Sequence, residues 1–234
     1  EGLVDGGIGK TLARGYRGFR APTHEIGEED RSVLIDGVPF EFLMGSGTEA
    51  PAEFTFFLPT QRVLCMAEVC TQTQHNLLTP RGAEVRDARL WAKVIDDALV
   101  RFGGRTDVLV NSHNWPVWGQ ESVHQFMLEQ RDIYKYVHDQ TLRLANHGMT
   151  IKEVGDALQE PDFARDALHT RGNYGMLYFN ARAVYQKYYG AFDGRAVDLN
   201  PLPPETEGKR YLKALGGEAR VLELAQEAID EDDL

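Results

Sequence analysis

With 234 residues, 42% of them hydrophobic and 26% charged, the chain has apolar material for one large domain or one and a half. Its net charge of −11 and isoelectric point near 5.1 exclude a nucleic-acid binder, because phosphate contact needs a basic surface. No apolar run approaches the roughly twenty residues of a membrane span, and two cysteines, Cys65 and Cys70, are too few for a disulfide framework.

The chain opens Glu1-Gly2-Leu3-Val4-Asp5-Gly6-Gly7, with no initiating Met and no secretory apolar stretch, and reads as the interior of a longer polypeptide. Gly7-x-Gly9-Lys10-Thr11 has the residues of a phosphate loop without its spacing and is set aside. Lys10, Arg14, Arg17 and Arg20 make a local basic patch, most simply read as surface charge. Residues 32–35, the pair Asp36-Gly37 and residues 38–44 predict a β-hairpin. Residues 53–58 and 62–66 predict a second strand pair around Pro59-Thr60-Gln61, with Cys65 as a small core residue. From 84 to 102, Val85, Ala88, Trp91, Ile95, Leu99 and Phe102 recur at helical spacing, and Gly103-Gly104 stops the helix. Val108-Leu109-Val110 follows as a buried strand. This order predicts an α/β sandwich with helices outside its sheets.

The texture changes near residue 117. Residues 121–146 hold no Gly or Pro and predict a long helix ended by Gly148. Shorter helices are expected from Thr150, from Asp162 and over about 174–189; Pro201 to Pro204 breaks the pattern, and two last helices flank Gly216-Gly217. Residues 230–233 form an acidic, solvated end. The tyrosines Tyr185, Tyr188 and Tyr189, with Phe192, suit a subunit interface or a core equally.

Chemistry gathers at strand ends. Glu49 and Glu53 precede one predicted strand, Glu68 follows the next, and His113 ends a third. Read singly, Glu49 and Glu53 are ordinary solvated carboxylates. Glu68 follows apolar Leu64-Cys65-Met66-Ala67, where a buried carboxylate is costly unless paired or metal-bound. Oxygen and imidazole ligands together suit zinc or a similar divalent ion. A second cluster, His75-Asn76 through Pro80-Arg81-Gly82, offers an imidazole, an amide and a guanidinium. Arg81 can grip a planar oxyanion with its fork of donors or simply pair with an acid such as Glu84, with Asn76 capping a turn.

Several long motifs resemble the alkyl sulfatases of the metallo-β-lactamase superfamily: Gly-Thr-Glu-Ala-Pro-Ala-Glu at 47–53, Leu-Cys-Met-Ala-Glu at 64–68, His-Asn-Leu-Leu-Thr-Pro-Arg-Gly-Ala-Glu-Val-Arg-Asp at 75–87 and Ser-His-Asn-Trp-Pro-Val-Trp-Gly at 112–119. Tyr-Gln-Lys-Tyr-Tyr-Gly-Ala-Phe-Asp-Gly at 185–194 and Asn-Pro-Leu-Pro-Pro at 200–204 look like the dimerisation domain of the same enzymes. The resemblance implies the second half of an αββα sandwich over residues 1–117 and an all-α dimerisation domain over 118–234. It implies two zinc ions per active site, with Glu49 on one, Glu68 bridging both and His113 on the other. A metal-bound water would be the nucleophile, with no further catalytic residue. Arg81 and Asn76 would hold the sulfate.

The implied reaction is hydrolysis of linear alkyl sulfate esters, such as detergents, to alcohol and sulfate, by a homodimer with no nucleic-acid partner and no stable membrane insertion. Compartment stays open, a bacterial periplasmic or secreted one included. Departures accompany the likeness: the family's upstream His-x-His-x-Asp-His motif and its sterol-carrier-like domain are not in these 234 residues. Asn114 stands where relatives commonly carry a second histidine, and Pro80 where they carry an apolar residue. This piece alone is therefore expected to bind zinc poorly and to be inactive. The other readings are a hydrolase of a different anionic ester within the superfamily and a non-catalytic oligomerisation module.

Overall fold

A computed structural model describes residues 15–232 apart from 17 and 30. The glycine-rich segment 7–11, Lys10, Arg14 and Arg17 of the basic patch, and Asp233 of the tail lie outside the described residues. Arg20 is exposed. The chain divides into two compact units, Glu1–Ala191 and Phe192–Leu234.

The first unit is built on one sheet of six strands in the order β1 (Ser32–Ile35), β2 (Val38–Met44), β3 (Phe54–Leu58), β4 (Val63–Cys65), β5 (Val108–Val110) and β6 (Val117–Trp118). All neighbours are antiparallel except β4 and β5, which run parallel. The expected hairpin joins β1 and β2. Asp36 and Gly37 turn with φ of 50° and 81°, the positive pair a tight hairpin turn demands and glycine adopts without strain. The connection between the parallel strands is α1 (Ala88–Phe102), the crossover such a pair requires.

Side-chain alternation divides the sheet faces. Phe57, Leu64 and Leu109 lie in one cross-strand row and share the core with Trp91, Ile95, Ala98 and Phe102 of α1. Phe57 and Phe102 stack with ring centroids 5.4 Å apart. The opposite face carries Phe40, Phe42, Phe54 and Phe56, whose rings lie 5.4–6.3 Å from one another. Cys65 is half-buried on β4, and the fully buried thiol is Cys70.

Helix α2 (Gln120–Asn146) packs against α1. Its Tyr134 ring stacks on Trp91 at 4.8 Å, and Val123, Phe126, Met127 and Ile133 enter the same core. The core therefore runs across residue 118. Further along come α3 (Ile151–Ala157), α4 (Asp162–Arg165) and α5 (Leu177–Tyr189). Thr150 opens α3 with a reciprocal cap: its hydroxyl accepts from Glu153 N–H at 3.4 Å, and the Glu153 carboxylate accepts from Thr150 N–H at 2.8 Å.

The second unit holds α6 (Ala196–Leu199), α7 (Pro204–Ala214) and α8 (Glu218–Asp230), none of which buries a residue fully. Among the described residues, no helix is long and apolar enough to cross a membrane.

Candidate metal centre

Strand direction explains why distant residues meet. Parallel strands end at the same edge of a sheet, so the residues after β4 and β5 share one rim; β3 runs antiparallel to β4 and starts at that rim. Glu68 follows β4, His113 follows β5, and Glu49 and Glu53 precede β3. Two bonds extend the ladder past the strand ends: Met66 N–H to the Val110 carbonyl and Ser112 N–H to the Ala67 carbonyl, both at 2.9 Å. Ala67, at φ 46°, and Asn114, at φ 66°, then turn the chain sharply.

The result places Glu68 between two imidazoles. Its Oε1 lies 2.6 Å from His113 Nε2, and its Oε2 lies 3.3 Å from His75 Nε2. The His75 contact, then His113, holds the Glu68 carboxyl down at about 2 against the opposing effect of burial. Glu53 shows the reverse. Burial, then the charges of Glu49 and Glu68, pushes it up to about 7, although it accepts a backbone hydrogen bond from Glu68. Neighbouring carboxylates whose pKa values are driven apart mark a site of concentrated charge.

Glu49, Glu68 and His75 each offer a ligand atom, all within 4.8 Å of one another. Two carboxylates and an imidazole make a hard-to-borderline donor set that fits zinc. His113 joins through its contact with Glu68. His75 is 3% exposed, and its Nδ1 lies 3.1 Å from the Asn76 carbonyl. A metal-ligating histidine uses such a carbonyl to fix its tautomer.

Arg86 ties these parts together. Its Nε donates to the Glu49 carbonyl at 2.8 Å, and its Nη2 pairs with the Glu49 carboxylate. Its Nη1 donates to the Asn76 carbonyl at 2.8 Å and to Asn76 Oδ1 at 2.5 Å, and lies 3.1 Å from His75 Nδ1. A cavity of about 230 Å³ opens beside Glu49, Pro51, Glu84 and Arg86.

Of the residues expected from sequence, Glu49, Glu68 and His113 come to the rim, and Asn76 stands next to it through Arg86. Arg81 is exposed, on a turn closed by Gly82 N–H to the Thr79 carbonyl at 3.1 Å. Two further residues belong to the rim. The sequence pattern offers His75 only as the imidazole of the second cluster, not as a ligand. The apolar spacing places Arg86 in a helix beginning at 84, whereas the helix begins at Ala88, capped by Asp87 Oδ1 accepting from Leu90 N–H at 3.0 Å. An Arg-Asp pair just before an apolar run was the available signal: Asp is a favoured cap, so the preceding Arg lies outside the helix.

The sheet, its crossover helix and the charged rim continue into a helical region. Residues 150–234 match the family model for alkyl sulfatase dimerisation. Beyond that segment the chain is similar to alkylsulfatases along almost its whole length. It is 46% identical over 222 residues to an alkyl/aryl-sulfatase of Saccharomyces cerevisiae, covering 95% of this chain and 34% of the yeast protein. It is 42% identical to an (R)-specific secondary-alkylsulfatase of Pseudomonas, covering 100% of this chain and 35% of that one. The solved structure of a stereoselective inverting sec-alkylsulfatase from Pseudomonas superposes with a TM-score of 0.87 at 43% identity, over 91% of this chain and 34% of that one. The chain thus spans about a third of the length of the relatives it matches.

Proposed function

We propose that this chain forms part of a zinc-dependent alkyl sulfatase that hydrolyses linear alkyl sulfate esters to an alcohol and inorganic sulfate. The observation that carries the reading is Glu68, one carboxylate oxygen facing each of two imidazoles, His75 and His113, in a chain closely similar to alkylsulfatases. Glu49, Glu68, His75 and His113 would hold a pair of zinc ions. When bound, such a pair supplies hydroxide near neutral pH and offsets the charge of the ester.

The chain's own groups do the rest. Glu68 would be the carboxylate that holds metal beside both imidazoles, which it faces at 2.6 and 3.3 Å. Arg86 fixes Glu49 and Asn76 together. With Asn76 Oδ1 held by Arg86, the amide leaves its Nδ2 hydrogens for a sulfate oxygen, and Arg81, exposed on the adjoining turn, supplies a fork of donors to the same anion.

Residues 1–117 would then form the C-terminal part of the catalytic domain and 118–234 the dimerisation domain of a homodimer; the family match at 150–234 falls within the second. The isolated 234 residues are expected to hold zinc weakly and to lack turnover, since they contain too few ligands for two ions.

The test is metal analysis of the natural full-length protein with turnover of dodecyl sulfate set against phosphate esters. Two tightly held zinc ions per chain and preference for the sulfate ester are expected. Faster hydrolysis of a phosphate ester would overturn the substrate. A stable, inactive, zinc-free dimer would leave an oligomerisation module instead.

A further inference from the structure

The loop that presents His75 and Asn76 is not held by the sheet. It is held by the helices of the C-terminal half of the first unit. Asn180, on α5 and 2% exposed, places its amide against this loop. Its Oδ1 accepts from Leu77 N–H at 2.9 Å, and its Nδ2 donates to the His75 carbonyl at 3.0 Å. From α2, the Tyr134 hydroxyl accepts from His75 N–H at 3.0 Å.

The segment before α5 completes the clamp. Gly175 N–H donates to the Gln74 carbonyl at 2.7 Å, and a Cβ on Gly175 would run into the His75 carbonyl, so only glycine allows this approach. The Tyr174 ring meets the His75 ring edge-on at 5.0 Å. Gln74 Nε2 donates to the Thr170 carbonyl. At the far end of the same segment, Lys187 of α5 donates to the Val85 carbonyl at 3.2 Å. Every backbone polar group of His75 is therefore taken by α2 or α5, and none by a strand.

We propose that Asn180, seconded by Tyr134, is a positioning residue for the metal centre, fixing the backbone from which His75 reaches Glu68. The inference rests on the reading of Glu49, Glu68 and His75 as metal ligands. It makes the α2–α5 packing part of the metal site: loosening α5 loosens one zinc ligand, although α5 itself supplies none. Partners that orient metal ligands typically matter about ten- to a hundredfold in affinity.

The test uses the natural full-length protein, stripped of metal and titrated with Zn²⁺ against a chromophoric chelator, with amide hydrogen exchange read over residues 74–78. Asn180→Leu is expected to weaken zinc about ten- to a hundredfold and to speed exchange at His75 and Leu77. Tyr134→Phe, which removes one acceptor, should do the same by a smaller factor. Thr141→Val, equally buried on α2, should change neither quantity.

Glu49→Gln separates the two claims. If it loses zinc while Asn180→Leu folds and keeps wild-type affinity and exchange, the positioning role is overturned and the metal reading stands. If Glu49→Gln and Asn180→Leu both bind zinc as the wild type does, both claims fall. Where Asn180→Leu does not fold, Tyr134→Phe decides by the same two readouts, and unchanged values there overturn the proposal.

Discussion

The two units differ in what they bury. In the first, α1 alone buries eight residues, Trp91 among them, and the charged rim is supported by that core. In the second, α6, α7 and α8 bury none, and Tyr211, Leu222 and Ile229 are more than half exposed. A helix gains most of its stability from packing its apolar face rather than from propensity. The first unit thus has a packed core of its own, whereas the helices of the second leave their apolar residues exposed. The match of this region to a dimerisation family agrees with that difference.

Trp91→Ala tests the first half of the comparison with the largest effect. The indole stacks on Tyr134 at 4.8 Å and donates to the Val69 carbonyl at 2.6 Å, so truncation leaves a cavity and an unpaired buried carbonyl. A loss of about 3–5 kcal/mol is expected, measured by urea unfolding. A loss under about 1 kcal/mol would mean that the α1–α2 core does not carry the unit.

The rim should dominate the acid limb of stability in the metal-free chain. Glu68 is held near 2, below the usual 4.5, so its contribution is present above pH 4.5 and is lost as pH falls toward 2. Glu53 is raised from 4.5 to about 7. The folded state then binds its proton more tightly than the unfolded state, and stability falls as pH rises from 4.5 to 7. These two groups together place a maximum near the lower end of that window. Glu53→Gln should abolish the decline above pH 4.5, and Glu68→Gln the rise below it. Chemical denaturation at a series of pH values reads both, and parallel curves for wild type and Glu53→Gln would refute the burial of that carboxyl.

Legibility in the sequence followed the range of the forces. The β1–β2 hairpin, the helix stop at Gly103-Gly104 and the capped start at Thr150 are local matters of turn chemistry and periodicity, and they stand where the residues put them. The start of α1 was misplaced by four residues because Val85 keeps the apolar spacing, while Arg86 is drawn out of helical geometry by Glu49 and Asn76, 37 and 10 positions away. The two-residue strand β6 and the one-turn helix α6 are too short for periodicity to register. Glu68 and His113 could be named because both follow apolar strands. His75 sits on a loop whose anchors, Tyr134 and Asn180, are 59 and 105 residues distant, and no local pattern carries that information.

Thr150→Ala is a smaller probe of the same unit. It removes the hydroxyl half of the cap on α3 and leaves the Glu153 carboxylate on the backbone N–H of residue 150; Val154 of α3 lies in a satellite core with Leu144, Leu158 and Ala181. About 1 kcal/mol of stability should be lost, and Thr150→Ser should recover most of it, since serine caps equally well. A loss above about 3 kcal/mol would show that α3 supports the main core and not only its satellite.

The smallest folding effect belongs to the second unit and sharpens the contrast most. Leu222 and Ile229, seven residues apart on one face of α8, are 65% and 55% exposed. Leu222→Asp with Ile229→Asp removes little that the single chain buries, so its unfolding free energy should stay within about 0.5 kcal/mol of wild type. A charged pair on a face that meets another subunit is costly to desolvate. Sedimentation velocity at matched concentration should then show the association weakened while thermal unfolding of the dilute chain is unmoved. If the variant instead unfolds like Trp91→Ala, then α8 packs within its own chain, and the contrast between a buried core in the first unit and exposed apolar faces in the second is wrong.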